Sequence, residues 1–216
     1  MRKKAKSAGS ELVPAHTASA GGALKIYYIA TSSIGGLGNW PRHLKRASEM
    51  GFGHLGVSPI FAPHAEGGVF LTADHESSDP VLKAAGTADQ AASQIATLCR
   101  EHGLELILDI VLDRIAADGA TARGMPAFFR AGLEAGVIDP RTPLVDMYGV
   151  LARFDDPASA DRLVEWWKGR LSRLVASGAA GFRLLGLEHV PGSILRRIVE
   201  GVRNETPCLF LAWTPG

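Results

Sequence analysis

Residues 104–112 read Leu-Glu-Leu-Ile-Leu-Asp-Ile-Val-Leu, and this stretch decides the fold class. Leu104, Leu106, Leu108, Ile110 and Leu112 share one alternating face, while Ile107 and Val111 lie on the other. A strand with one wet face alternates apolar with polar. A strand covered on both faces reads as a nearly continuous apolar run, the pattern of a parallel sheet. The stretch therefore predicts a buried parallel strand with one carboxylate, Asp109, inside it. Just before it, Thr87 and Gln90 have the spacing of a helix capping box. The predicted helix over 87–102 has Ala91, Ile95, Leu98 and Cys99 on its apolar face, and Gly103 stops it.

Outward in both directions the same alternation repeats. Toward the N-terminus, residues 54–60 (HLGVSPI) and 24–30 (LKIYYIA) read as strands. Between them, 41–50 reads as a helix with Pro41 in its first turn and Gly51 as its stop. Toward the C-terminus, residues 113–157 have weak periodicity and many Gly and Pro. A helix over 158–177 follows, with Leu163, Trp167, Leu171, Leu174 and Val175 at helical spacing. Then come a strand over 180–187 (AGFRLLGL), a helix over 191–203 with Ile194, Leu195, Ile198 and Val202 inward, and a strand over 208–212. Strands alternating with helices mean an α/β fold. Periodicity alone leaves an open doubly wound sheet and a barrel equally open. Gly35, Gly36 and Gly38 do not make a G-x-G-x-x-G phosphate cradle and read as loop glycines.

Composition bounds the function. The chain has 216 residues, 46% apolar and 21% charged, with 23 basic and 22 acidic side chains for a net charge of +1. That balance gives no reason to invoke nucleic acid or an acidic membrane surface. No apolar run is long enough to span a bilayer. Residues 1–23 begin basic and continue rich in Ala, Gly, Ser and Thr without an apolar core, so they read as a disordered leader and not a secretory signal. The cytoplasm is the expected compartment. Cys99 and Cys208 lie far apart in apolar runs and read as buried free thiols. His43, His54, His64 and His102 show no ligand spacing, and no cofactor or metal is expected. In the Trp166-Trp167 pair, Trp167 is expected in the core and Trp166 partly exposed, their rings pointing apart.

Local motifs choose between sheet and barrel. Gly181-Phe182-Arg183-Leu184, after Ala179-Ala180, resembles the fourth-strand motif of the α-amylase superfamily, glycoside hydrolase family 13. Further segments agree in order. Ile26-Tyr27 resembles the opening strand. Gly56-Val57-Ser58-Pro59-Ile60-Phe61 resembles strand two, especially in maltooligosyl-trehalose synthases. Asp74 to Pro80 resembles the loop before helix two, and Leu108-Asp109-Ile110-Val111-Leu112 resembles strand three. Arg153-Phe154-Asp155-Asp156-Pro157 resembles the segment leading into helix three. Phe210-Leu211-Ala212-Trp213-Thr214-Pro215 resembles strand five, most closely that of maltose-1-phosphate maltosyltransferases. Each motif is weak alone; their collinearity carries the resemblance. It implies an incomplete (β/α)8 TIM-type barrel over 24–216 with strands one to five. Residues 113–157 would be a loop-rich insertion where the family places its B domain.

The resemblance also implies a chemistry that this chain lacks. The family acts on α-glucosyl units with retention, using a carboxylate nucleophile and a carboxylic general acid. The nucleophile position is Leu185 and the general-acid position is Trp213, and neither side chain can do that work. Loss of a nucleophile in a cooperative site costs on the order of 10⁶ in rate. Glu188 reads as a solvated loop carboxylate rather than a substitute. The strand-three motif ends Asp113-Arg114 instead of Asn-His. The tyrosine that stacks on the reacting sugar corresponds to His75. Asp109 and Arg183 match the family and are expected to pair with each other, and His189 matches a histidine that contacts glucan. Asp109, Arg183, His75, His189 and Trp213 are thus the candidate substrate-contacting residues.

A full barrel has eight strands in about 250 residues. Five strands would leave two unpaired edges, so a remainder of the barrel, an associated α-glucan enzyme or self-association through those edges is expected. Three readings compete: a catalytically silent α-amylase-type domain of α-glucan metabolism, the leading fragment of an active maltosyltransferase or glycosidase, and an unrelated α/β binding protein. Failure of Asp109 and Arg183 to meet at one end of a barrel would favour the third.

Overall fold

The computed structural model describes residues 23–131 and 148–213. The expected leader, apart from its last residue, lies outside the described residues, as does much of the expected insertion. Five parallel strands form the main sheet: β1 (Ile26–Ile29), β2 (His54–Val57), β5 (Glu105–Val111), β9 (Ala179–Leu185) and β10 (Leu209–Ala212), adjacent in that order. Every pairing among them is parallel. Strand order bears on what periodicity left open. A doubly wound sheet reverses its order at a switch point, whereas here each strand is laid beside its predecessor, as in a β/α barrel.

Helices α2 (Pro41–Glu49), α3 (Ala88–Glu101), α5 (Pro157–Ala176) and α6 (Gly192–Glu205) connect the strands. Right-handed crossovers between successive parallel strands place them on one face of the sheet. The core lies between these helices and that face. It contains Leu55, Val57, Leu106, Leu108, Ile110, Phe182 and Leu184 from the strands, and Leu44, Ile95, Leu163, Trp167, Leu171 and Ile198 from the helices. Each such side chain contributes about 1.5–3 kcal/mol by leaving water. Thr87 caps α3 as its spacing implied: its hydroxyl accepts from the Gln90 backbone while the Gln90 side chain accepts from the Thr87 backbone. Asp156 caps α5 by accepting from Ser159 N.

Several expectations are corrected. The strand expected over 54–60 ends at Val57, and the chain then enters a hairpin, β3 (Phe61–His64) with β4 (Gly68–Ser78). Asp74 to Ser78, read as loop, are strand. Its irregular register, with shifts at each step, breaks the period-two pattern by which strands are recognised. A short helix, α1 (Thr31–Ile34), follows β1. Within 113–157 a small antiparallel sheet forms from β6 (Arg114–Ala116), β8 (Gly149–Ala152) and β7 (Phe129–Ala131), with helix α4 (Ala120–Gly124). Cys99 is buried and Cys208 only half-buried, since Cys208 precedes the edge strand β10; both are free. Trp167 is core and Trp166 half-buried, but their rings do not point apart: they meet edge to face at 4.6 Å.

Sequence reading also missed Arg170 of α5. Its guanidinium is 1% exposed, 5.2 Å from the Phe61 ring centre, and its Nη2 lies 2.9 Å from Asp89 of α3. That contact is close but poorly aligned as a hydrogen bond, so it is chiefly ionic. Burial lowers the Arg170 pKa and the charges of Asp89 and Glu76 oppose that. With Arg173, which bonds Glu76 at 2.6 Å, the network fastens the β3–β4 hairpin to α3 and α5.

Candidate functional site

Alternate residues of a strand face opposite ways, so the sheet has a second face turned from the helices. Tyr28, Gly56, Ile107 and Gly181 are register partners across it, and two residues further along, Asp109 pairs with Arg183 and Arg183 with Leu211. Ile107 and Val111 are buried yet stand outside the helix-side core, which confirms the division.

Asp109 and Arg183 meet as a fork. Arg183 Nε donates to Oδ1 at 2.7 Å and Nη2 to Oδ2 at 2.5 Å. The Asp109 side chain is 1% exposed and that of Arg183 28%. A carboxylate this deep requires its partner. Failure of these residues to meet would have favoured an unrelated α/β protein, and they meet.

Tyr28 is a third member that sequence reasoning missed. Its hydroxyl donates to Asp109 Oδ2 at 2.7 Å, and the Arg183 guanidinium carbon lies 4.4 Å from its ring centre. Burial and the Asp109 carboxylate raise the Tyr28 pKa, while the hydrogen bond to Asp109 raises that of Arg183. The phenol starts on β1 and must cross β2 to reach β5. Gly56 leaves the path open: a Cβ there would come within 3.1 Å of Tyr28 Cδ2. The available signal was the coincidence of a large interior residue with a glycine at its register partner.

Above the pair, at the C-terminal ends of the strands, Val111 partners Leu185, and the Trp213 backbone N–H donates to Leu184 O at 3.1 Å. Leu185 is half-buried and Trp213 is 49% exposed. This level of the face is apolar, with no carboxylate from either residue.

A second polar group lies where β5 and β9 end. Asp113 is fully buried and accepts from Arg114 Nε at 3.0 Å, from Arg114 Nη2 at 2.9 Å, and bonds His189 Nδ1 at 2.7 Å. Glu188 accepts from Arg114 Nη2 at 3.1 Å, so this half-exposed carboxylate is paired rather than simply solvated. Gly186, at φ 67°, brings the loop in so closely that a Cβ would fall 2.0 Å from Asp113 Oδ1. Asp113, Glu188 and His189 each offer one ligand atom within 4.8 Å of the others, a spacing a cation could use, although Arg114 already bonds both carboxylates. His189 therefore joins a network not anticipated from the sequence.

His75 does not face this site. It is 2% exposed, among Phe61, Trp166 and Trp167, with ring centres 4.8, 5.1 and 5.4 Å away. Desolvation, helped by Arg170, pushes its pKa down to about 3. The expectation that it contacts sugar is corrected: its ring is packed on by three others and has no surface left to offer.

Strand order and the paired Asp109 and Arg183 on one face of the sheet describe a parallel α/β domain resembling the barrel of α-amylases. A scan against models of known protein families finds no match. The chain is 26% identical over 195 residues to the α-1,4-glucan:maltose-1-phosphate maltosyltransferase of Burkholderia pseudomallei, covering 88% of this chain and 17% of that protein. Among solved structures it resembles a maltogenic α-amylase of Thermotoga neapolitana (TM-score 0.67, 18% identity, 88% of this chain and 46% of that one). It also resembles an α-amylase of Lactobacillus plantarum (TM-score 0.68, 16% identity, 89% and 45%). Together these similarities support a relationship to the α-amylase superfamily. The chain spans less than half the length of each of these relatives. No helix among the described residues is long and apolar enough to cross a membrane.

Proposed function

We propose that this chain is an α-amylase-type domain that engages α-1,4-glucan and performs no glycosyl transfer of its own. One observation carries the reading: the sheet face that keeps Asp109 and Arg183 has Leu185 and Trp213 where the resemblance implies nucleophile and general acid. Retaining transfer needs two carboxylates flanking the scissile bond, and an aliphatic and an indole side chain supply neither. Glucan would bind at the C-terminal ends of the strands, near Arg183, His189 and Trp213. In this reading the five strands are an arc of a β/α barrel, with 113–157 in the place of the B domain. The open edges of β1 and β10 would receive further β/α units, from the same polypeptide, an associated α-glucan enzyme or a second copy. The free thiols Cys99 and Cys208 suit a reducing cytoplasm.

Calorimetry with maltoheptaose, run beside turnover assays on starch and on maltose 1-phosphate with a maltooligosaccharide acceptor, tests the reading. Heat without turnover is expected. Turnover that Arg183→Ala abolishes would overturn the silent reading, and no heat at millimolar glucan with folded protein would remove binding by the wild-type chain, though not by a variant in which the site has been opened. A second reading, the leading part of an active maltosyltransferase or glycosidase, is favoured by the 17% coverage of the curated relative. An intact mass from native cells well above 22.9 kDa supports it.

A further inference from the structure

We infer that Tyr28 is a built-in occupant of the Asp109–Arg183 pair, a phenol that closes the glucan site until a ligand displaces it. The inference rests on the reading of this face as a glucan site.

Asp109 shows almost no surface. Its donors among the described residues are Arg183, through Nε and Nη2, and the Tyr28 hydroxyl. A phenol donating to a carboxylate at 2.7 Å makes the same bond that a sugar hydroxyl would make. The guanidinium is covered in turn: its carbon stacks 4.4 Å from the ring centre, where a ligand would otherwise meet the flat side of the cation. One aromatic side chain therefore takes the acceptor of Asp109 and a face of Arg183 together.

The position is built in three ways. Tyr28 reaches Asp109 from two strands away, across β2, at the register step where β2 has Gly56. A Cβ at that step would press on Ile26 Cγ2 at 2.9 Å and on Tyr28 Cδ2 at 3.1 Å. The hydroxyl bond and the cation hold the ring at two points. Yet Tyr28 remains 41% exposed, so one side of the residue faces solvent. A ring held by polar contacts and open on one side is displaceable, unlike one locked in the core.

Two substitutions separate this role from general stability. Tyr28→Phe keeps the ring on Arg183 and removes the phenol's bond to Asp109 Oδ2, which Arg183 Nη2 alone then bonds. Gly56→Ala keeps the hydroxyl and presses a methyl against Ile26 and the ring edge, so that the ring must yield by a few tenths of an ångström. Maltoheptaose affinity is measured by calorimetry for wild type and both variants, with thermal melts to confirm folding. Both variants should bind about tenfold or more tightly than wild type, the scale of a hydrogen bond to a charged group. A wild type without detectable heat, beside variants that bind, supports the role of Tyr28 equally. Equal or weaker binding by the variants, with wild type binding, overturns that role and leaves the glucan reading standing. No binding by any of the three overturns both. If Gly56→Ala does not fold, Tyr28→Phe decides alone.

Discussion

Thr121 bonds His75 twice: its Oγ1 lies 3.1 Å from the His75 backbone nitrogen and 3.1 Å from the ring Nδ1. The backbone N–H donates to that oxygen, and the ring Nδ1 shares a hydrogen bond with the same hydroxyl. One histidine thus ties β4 to α4, and its burial favours the uncharged ring.

Acid should loosen this tie. Unfolded, His75 takes up its proton near pH 6.5; folded, only near pH 3. Its contribution is therefore complete above about pH 6.5 and is lost as pH falls toward 3, reaching roughly 5 kcal/mol at full development. Urea unfolding of wild type and His75→Phe at pH 7 and pH 4.5 checks this. The wild type should lose roughly 2–3 kcal/mol over that interval from His75 alone, and the variant should be spared that part. Parallel pH profiles would show that His75 is not the group responsible.

Breaking the Asp109–Arg183 pair should cost unequal amounts from its two ends. Arg183→Met leaves a carboxylate with 1% exposure unpaired, for a loss of about 3 kcal/mol. Asp109→Asn leaves a guanidinium that already reaches water, and should cost clearly less. Chemical denaturation of both variants reads the asymmetry, and equal losses would mean that Asp109 is wetter than the structure has it.

Gly186→Ala should strain the end of β9 in two ways at once. It places a side chain at positive φ and drives its Cβ into Asp113. A loss of about 1–3 kcal/mol is expected, together with movement of the His189 ring resonances in NMR spectra as its bond to Asp113 is disturbed. An unchanged melt with unmoved resonances counts against the closeness of that loop.

Asp89→Asn should destabilise more than Arg170→Met. The first strands a buried guanidinium; the second fills the same space with an apolar chain and leaves Asp89 partly solvated. Thermal melts of the two variants decide, and the reverse order would mean that Glu76 alone suffices for Arg170.

What the sequence disclosed follows from how local each signal is. β5 is buried on both faces and β9 mostly so, and both announce themselves as apolar runs. The start of α3 is set by Thr87 and Gln90, three residues apart. The β3–β4 hairpin was illegible because Pro63 and a shifting register remove the regular alternation that marks a strand. Arg170 looked like any solvent-side charge on a long helix, since its partners Glu76 and Asp89 are distant in the chain. Tyr28 was hidden for a related reason. Tyr27 and Tyr28 are equally good strand residues, and only the path over Gly56 distinguishes the one that reaches Asp109. The pairing of Asp109 with Arg183 was legible through resemblance, whereas the grouping of Asp113 with Arg114, Glu188 and His189 needed the turn at Gly186.

The order of the main sheet bears on how the protein is made. Each strand pairs with the one that left the ribosome before it: β2 on β1, β5 on β2, β9 on β5, β10 on β9. No strand has to be inserted between two that are already joined, and each connecting helix is available to cover its neighbours as they arrive. The sheet can therefore grow by accretion during synthesis, with its earliest strand never buried by a later insertion and its newest edge always ready for the next.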